Sequence, residues 1–174
     1  MDWRIICIFI GFIIYWSYNT ISIGIFGIPF SLSQTFYLFK NRENWQKILF
    51  PITLVITSLC LLPSWLEISE GSNWQFLVFL SLVGIIFTGF VPTFKSSKME
   101  DKVHTISAII GAVCALLWVV IVAKMWYVII MWIIFVLLSA LLTNTIKTAY
   151  IFWIETITFM ATFMSIICYY IKIA

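Results

Sequence analysis

Charged residues are scarce in this chain of 174 residues: they make up 10% of it, whereas hydrophobic residues make up 63%. A soluble domain usually contains about 25% charged and 45–50% apolar residues. A water-soluble fold of this length leaves about a third of its unfolded surface exposed, so it could not hide this much apolar surface. We therefore predict that the bilayer is the solvent, and that residues 1–174 form a single integral membrane domain.

Histidines, clustered cysteines and catalytic motifs are also lacking. The sequence has one histidine, and its four cysteines lie apart in apolar runs, which excludes a typical zinc site or disulfide framework. It has no Gly-x-Ser-x-Gly elbow and no nucleotide-binding glycine loop. The net charge of +3 comes from dispersed residues, whereas nucleic-acid binding needs a clustered basic face. We expect no cofactor, no metal and no nucleic-acid partner.

Long apolar runs dominate the sequence, and about 20 such residues are needed for one helix to cross a bilayer. The runs predict an all-α polytopic bundle with about six spans, over approximately 5–26, 48–66, 74–91, 103–122, 125–142 and 149–170. Pro63 is expected to kink or stop the second span. The fourth and fifth spans are expected to turn back near Ala123–Tyr127, since 40 continuous helical residues would extend about twice the hydrocarbon thickness.

Two polar segments connect the predicted spans. Ser31–Phe39 is too polar and too short to cross, and its aromatic residues suit the headgroup level. Residues 95–102 hold five charged residues, which predicts a solvated loop that contacts anionic lipid headgroups.

The distribution of basic residues predicts the orientation, because cytoplasmic loops are enriched in Lys and Arg. The first, third and fifth loops hold Lys40, Arg42, Lys47, Lys95, Lys98, Lys102 and Lys147, and the opposite side holds Arg4, Lys124 and Lys172. We therefore expect both termini outside a cell (plasma) membrane.

Glu155 is the most informative residue, because it lies about two turns into the sixth predicted span. A charge at the centre of such a helix costs about 2.5–3.5 kcal/mol. Glu155 shares one helix face with Thr158, Thr162, Ser165 and Tyr169. One interpretation is a wall that binds a ligand or a proton. The other is that the hydroxyls bond to carbonyls of their own helix while Glu155 pairs with one neighbour.

The fourth predicted span has a similar face, formed by His104, Ser107, Gly111, Cys114 and Trp118. Ser107, Gly111 and Ala115 also form a small-xxx-small series, which predicts close packing between helices. His104 is a candidate binding residue because histidine changes charge near physiological pH. The alternative is that His104 is only a solvated or packing residue at the end of its helix.

Polar residues recur at helical spacing in the first two spans as well. The second span has Thr53, Thr57, Cys60, Ser64 and Glu67, and the first has Gly11, Tyr15, Tyr18 and Ser22 with Asn19 adjacent. Glu67 is expected at the outer interface, where a carboxylate reaches water, and is a further candidate site residue. Together these faces predict a partly polar interior, which is either a cavity or a set of hydrogen-bonded helix contacts.

Three segments carry a resemblance to a family of small, uncharacterised bacterial inner-membrane proteins with about six helices. They are Gly27-Ile28-Pro29-Phe30-Ser31-Leu32-Ser33-Gln34-Thr35-Phe36-Tyr37, Leu62-Pro63-Ser64-Trp65-Leu66-Glu67, and Pro92-Thr93-Phe94 followed by Val103-His104. The resemblance implies a bacterial inner-membrane location and one domain, and it implies no activity and no catalytic residues.

Three classes of function are compatible with these patterns. The favoured one is a non-enzymatic binding or transport-like bundle in which Glu155, His104, Thr158, Thr162, Ser107 or Glu67 contacts an amphiphilic ligand or a proton. The second is an accessory subunit that docks a membrane protein, or another copy of the chain, through Gly111 and Ala115. The third and weakest is a membrane-embedded lipid hydrolase, for example one that pairs Ser107 with His104. Membrane lipids are expected partners in each case.

Overall fold

The computed structural model describes residues 3–90 and 98–173, which form helices joined by short connections and contain no β-strand. The predicted all-α class is therefore confirmed for these residues. In chain order the helices are α1 (Trp3–Phe26), α2 (Gln34–Arg42), the 3-10 helix Asn44–Ile48, α3 (Leu49–Ile68), α4 (Phe76–Phe90), α5 (Lys98–Ile121), α6 (Trp126–Leu142) and α7 (Tyr150–Ile173).

Helix length supports a membrane protein but not a definite number of spans. Four segments of the described residues are long and apolar enough to cross a membrane: Trp3–Phe26, Asn44–Ile68, Lys102–Ile121 and Tyr150–Ile171. The apolar helices α4 and α6 have 15 and 17 residues. They extend about 23 and 26 Å, whereas a hydrocarbon core is about 30 Å thick. The predicted count of six spans is thus not confirmed.

Two predicted boundaries differ from those observed. α3 continues for five residues beyond Pro63, to Ile68, so this proline does not end the helix. α5 begins at Lys98, so the second half of the predicted charged loop is helical. Residues 98–102 contain no Gly or Pro and are rich in helix-forming Lys, Met and Glu, which explains the longer helix. Lys95 lies outside the described residues.

The turn between α5 and α6 lies in the predicted region, at residues 122–125. Lys124 adopts a left-handed backbone conformation there, with φ of 55°. Such a conformation is uncommon for a residue other than Gly, Asn or Asp. The reversal therefore depends on a residue whose side chain does not signal a turn.

Both described termini lie at the same end of the bundle. Glu67 at the end of α3 forms an ion pair with Arg4 near the start of α1. It also accepts a hydrogen bond from Tyr170 Oη near the end of α7. At the opposite end, Phe152 N at the start of α7 donates to Phe30 O in the α1–α2 connection, at 2.9 Å. This arrangement follows from helices that alternate in direction.

α4 and α5 approach each other closely through small residues. A Cβ atom added to Gly84 would lie 2.6 Å from both Gly111 N and Ser107 O. Ser81 Oγ donates a 2.8 Å hydrogen bond to Gly111 O across the same contact. The small-residue face of α5 therefore packs against a helix of its own chain.

The segment predicted at the headgroup level packs partly into the bundle. Ser31, Leu32, Ser33, Thr35, Phe36 and Phe39 are all buried. Thr35 Oγ1 donates to Leu32 O and hydrogen-bonds to Tyr18 Oη of α1. These contacts hold the connection between α1 and α2 against α1.

Candidate functional site

A cavity lies between α3, α4, α5 and α7 and contains about 580 Å³ of space between atoms, part of it open to the surroundings. The part of it that can hold the centre of a water-sized molecule is about 50 Å³, which is smaller than the about 300–1,000 Å³ of typical small-molecule sites. Along α3 its lining extends from Phe50 to Trp65, which corresponds to about 23 Å of helix. Most of its other lining is apolar or small, including Leu32, Leu54, Leu61, Ile85, Ala108, Gly111, Ala112, Ala115 and Phe159.

Among the described residues, Glu155 provides the only carboxylate in this lining. Its Oε2 atom accepts a hydrogen bond from Leu32 N at 2.7 Å, across 123 residues of sequence. Within residues 3–90 and 98–173, Glu155 has no second hydrogen-bond partner and no ion pair. Its position on α7 and the α1–α2 connection together hold the carboxylate at one end of the cavity.

The connection that presents Leu32 has a defined shape. Gly27 ends α1 with φ of 74°, a left-handed conformation that a glycine adopts without strain. Phe30 N donates to Gln34 Oε1 at 2.7 Å, which closes the turn before α2. As a result, one backbone N–H of this connection faces α7 and serves as the donor to Glu155.

The threonines on the same face of α7 bond to their own helix. Thr158 Oγ1 donates to Ile154 O at 3.0 Å, and Thr162 Oγ1 donates to Thr158 O at 2.9 Å. Both residues line the cavity. Because each hydroxyl proton is already engaged, these threonines present oxygen lone pairs to the cavity and no free donor.

Gly111 and Ala115 also line the cavity, together with Glu155, Thr158 and Thr162. Five of the eight predicted site and packing residues therefore meet at one place. Because Gly111 has no side chain and that of Ala115 is small, these two residues leave the space that the cavity occupies. The Gly111 backbone also contacts α4.

Ser107 and His104 lie on the same helix, but neither is among the residues that line the cavity. Ser107 Oγ donates to Val103 O at 2.7 Å, so its proton is held by its own helix and is not given to His104. His104 is buried one turn before Ala108.

Glu67 is remote from the other candidates. Its partner Tyr170 follows Glu155 by 15 positions on α7, which is about 23 Å along the helix. Glu67 and Glu155 therefore lie at opposite ends of the bundle and do not share one site. Glu67 instead joins α1, α3 and α7.

Several residues of the cavity carried no sequence signal. The donor to Glu155 is a backbone N–H, which any residue except proline could supply. Trp65 is fully buried and packs edge-to-face on Trp118, with ring centroids 5.6 Å apart. Trp118 Nε1 in turn donates to Ser69 Oγ at 2.7 Å. Tryptophans near helix ends usually suggest an interface, so burial of this pair was not predictable from position alone.

No metal-binding group was found among the described residues: no three His, Cys, Asp or Glu side chains are suitably close. The four cysteines are free thiols. Comparisons of the chain with protein-family models, with curated proteins and with solved structures found no match.

Proposed function

We propose that this protein is a non-enzymatic, multi-pass membrane protein that binds an amphiphilic ligand in the cavity between α3, α4, α5 and α7. The polar end of the ligand bonds to Glu155, and its apolar part lies along α3 toward Trp65. A cationic or hydrogen-bond-donating head group fits best, because a carboxylate accepts hydrogen bonds and favours positive charge.

The observation that carries this proposal is the environment of Glu155. A carboxylate with one hydrogen bond, at the end of a mostly apolar cavity, lacks the pairing that a buried ionisable group normally has. A ligand with a complementary head group supplies that pairing. A proton is the alternative occupant, and it would neutralise the carboxylate.

The membrane placement is part of the proposal. We infer that α1, α3, α4, α5, α6 and α7 all cross a bacterial plasma membrane, with both termini outside. The support is that α4 and α6 are apolar throughout and packed against longer helices, and that basic residues are concentrated at the end opposite the termini. We also propose that the chain belongs to the family of small bacterial inner-membrane proteins that its sequence resembles.

Native mass spectrometry of the protein released from nanodiscs tests the binding function. Wild type is compared with Glu155→Gln and with the control Glu67→Gln. Glutamine is chosen at position 155 because it can still accept the hydrogen bond from Leu32 N. We expect a retained small molecule or specific lipid in wild type and Glu67→Gln, and at least about tenfold less of it in Glu155→Gln, as expected for a charge-assisted bond of about 1.5–3 kcal/mol. Identical spectra for all three proteins would contradict the proposal.

The accessory-subunit alternative loses its main motivation in this arrangement. Gly111 was its expected contact residue, and its backbone is already packed against Gly84. A partner would therefore have to use another surface.

A further inference from the structure

A second cavity lies on the other side of α7, between α1 and α6, and contains about 570 Å³ of space between atoms. Its lining includes Tyr15, Asn19, Ser139 and Thr156, with aromatic side chains around them. No charged or histidine side chain is part of this lining. It is distinct from the Glu155 cavity, since no residue lines both.

Two polar atoms at this cavity are buried without a partner. Tyr15 is 1% exposed, and its Oη has no partner within 3.5 Å, although the Asn19 and Thr156 side chains lie close enough to interact with it. Asn19 is 5% exposed and donates from Nδ2 to Tyr15 O at 2.9 Å, which leaves its Oδ1 without a partner. An unsatisfied polar group in a bilayer core costs several kcal/mol, so both atoms require a partner there.

Two hydroxyls at the same cavity donate to carbonyls of their own helices. Thr156 Oγ1 donates to Phe152 O, and Ser139 Oγ donates to Phe135 O, each at 2.9 Å. Their protons are engaged, so they offer lone pairs only. The site thus offers Tyr15 Oη and the second N–H of Asn19 Nδ2 as donors, beside acceptors such as Asn19 Oδ1, and it suits a neutral group that both donates and accepts.

This cavity opens to the outside of the bundle, near the middle of α1 and α6. Trp16 and Phe135 at its rim are 43% and 50% exposed, and Thr20 is also exposed. Tyr15 lies at the midpoint of α1, and Phe135 lies near the midpoint of α6. In a membrane this position is next to acyl chains, so a ligand would enter sideways from the lipid.

We propose that this second cavity binds a neutral, membrane-soluble alcohol. The alcohol hydroxyl donates to Asn19 Oδ1 and accepts from Tyr15 Oη, and its hydrocarbon part passes between α1 and α6 into the lipid. A charged head group is disfavoured because no opposite charge lines the cavity. This site is independent of the ligand proposed for Glu155.

Photolabelling tests this assignment in nanodiscs. The probe is a 1-octanol that carries a diazirine on its chain, and the matched control probe is its methyl ether, which cannot donate a hydrogen bond. Labelled peptides are identified by mass spectrometry in wild type, Tyr15→Phe, Tyr15→Phe/Asn19→Leu and the remote control Glu67→Gln. Tyr15→Phe keeps the ring stacked on Phe159, at a centroid distance of 4.4 Å, and removes only an unpaired hydroxyl, so it should fold.

We expect the alcohol to label peptides of α1 or α6 at this cavity about fivefold more than the ether does, as one hydrogen bond would predict. Tyr15→Phe should reduce the labelling, the double variant should remove the difference between the two probes, and Glu67→Gln should leave the labelling unchanged. Equal labelling by the two probes, or labelling that Tyr15→Phe does not change, would overturn the proposal and leave water as the occupant.

Discussion

At the scale of single residues, the carboxylate of Glu155 is held by a backbone amide and not by a basic side chain. A basic partner would neutralise it and complete its hydrogen bonding, whereas one amide donor leaves the second oxygen without a partner among the described residues. The threonines nearby differ, because their hydroxyls are satisfied within α7. The threonine hydroxyls thus bond to carbonyls of their own helix and Glu155 accepts from one neighbour, while the interpretation of this face as a ligand- or proton-binding wall stays a prediction.

This difference predicts unequal effects of substitution at two neighbouring positions. Thr158→Val keeps the shape of the side chain and removes a hydroxyl that already bonds to Ile154 O. We expect ligand retention to change by less than about threefold in Thr158→Val, compared with at least about tenfold in Glu155→Gln. Native mass spectrometry with both variants under identical conditions provides the comparison. A larger effect of Thr158→Val would mean that the hydroxyl contacts the ligand directly.

Glu67 illustrates a carboxylate with a structural role. Its ion pair with Arg4 is about one-third exposed on both sides, so solvent screens it and its contribution is about 0.2–1 kcal/mol. We expect Glu67→Gln to lower the free energy of unfolding in mild detergent by at most about 1 kcal/mol. The difference from wild type should shrink in about 1 M salt, where the screening length is about 3 Å. A large, salt-independent loss would show that Glu67 contributes through Tyr170 more than through Arg4.

At the scale of elements, α4 and α5 form a close backbone contact. Helices in a membrane gain little from the hydrophobic effect, so their association depends on close van der Waals packing and interhelical hydrogen bonds. Gly84 and Gly111 allow the backbones to touch, and Ser81 adds a hydrogen bond. This contact also positions Gly111 and the neighbouring alanines of α5 at the Glu155 cavity.

Gly84→Ala should therefore destabilise the protein. Its new Cβ would lie 2.6 Å from the backbone of α5, and overpacking of this kind costs about 1–3 kcal/mol. Gly24→Ala is the matched control, because a Cβ there meets nothing within 4 Å. In thermal unfolding followed by circular dichroism, we expect a clear decrease in the melting temperature for Gly84→Ala and none for Gly24→Ala. Similar melting temperatures for both variants would mean that α4 and α5 are not in this contact.

At the scale of the whole molecule, the Arg4–Glu67–Tyr170 cluster places the two described termini at the same end of the bundle. This arrangement requires an even number of crossings, which six spans satisfy. In the proposed six-span topology, tilt of neighbouring helices or local thinning of the bilayer would accommodate the short helices α4 and α6. Basic residues at the opposite end predict which side faces the cytoplasm.

Protease protection of terminal epitope tags tests this topology. One version of the protein carries a tag at its N-terminus, and a second version carries a tag at its C-terminus. We expect protease added to spheroplasts to remove the tag from each version. In inverted membrane vesicles both tags should be protected. Removal of only one tag in either preparation would contradict an even number of crossings, and the reverse pattern would place both termini in the cytoplasm.

The sequence alone determined the class of this protein and part of its site. Apolar runs are a local property, and an apolar helix satisfies its own backbone in lipid, so the helices and most of their bounds could be predicted without knowing their neighbours. Helical spacing likewise placed Glu155, Thr158 and Thr162 on one face.

Only the tertiary structure decided which helix faces meet. It brought Glu155 to Leu32, separated Glu67 from both, and packed Gly111 against Gly84. These contacts depend on residues far apart in the chain and on backbone groups that every residue carries. In a bilayer, hydrophobicity also does not distinguish a helix face in contact with lipid from one in contact with protein, since both are apolar.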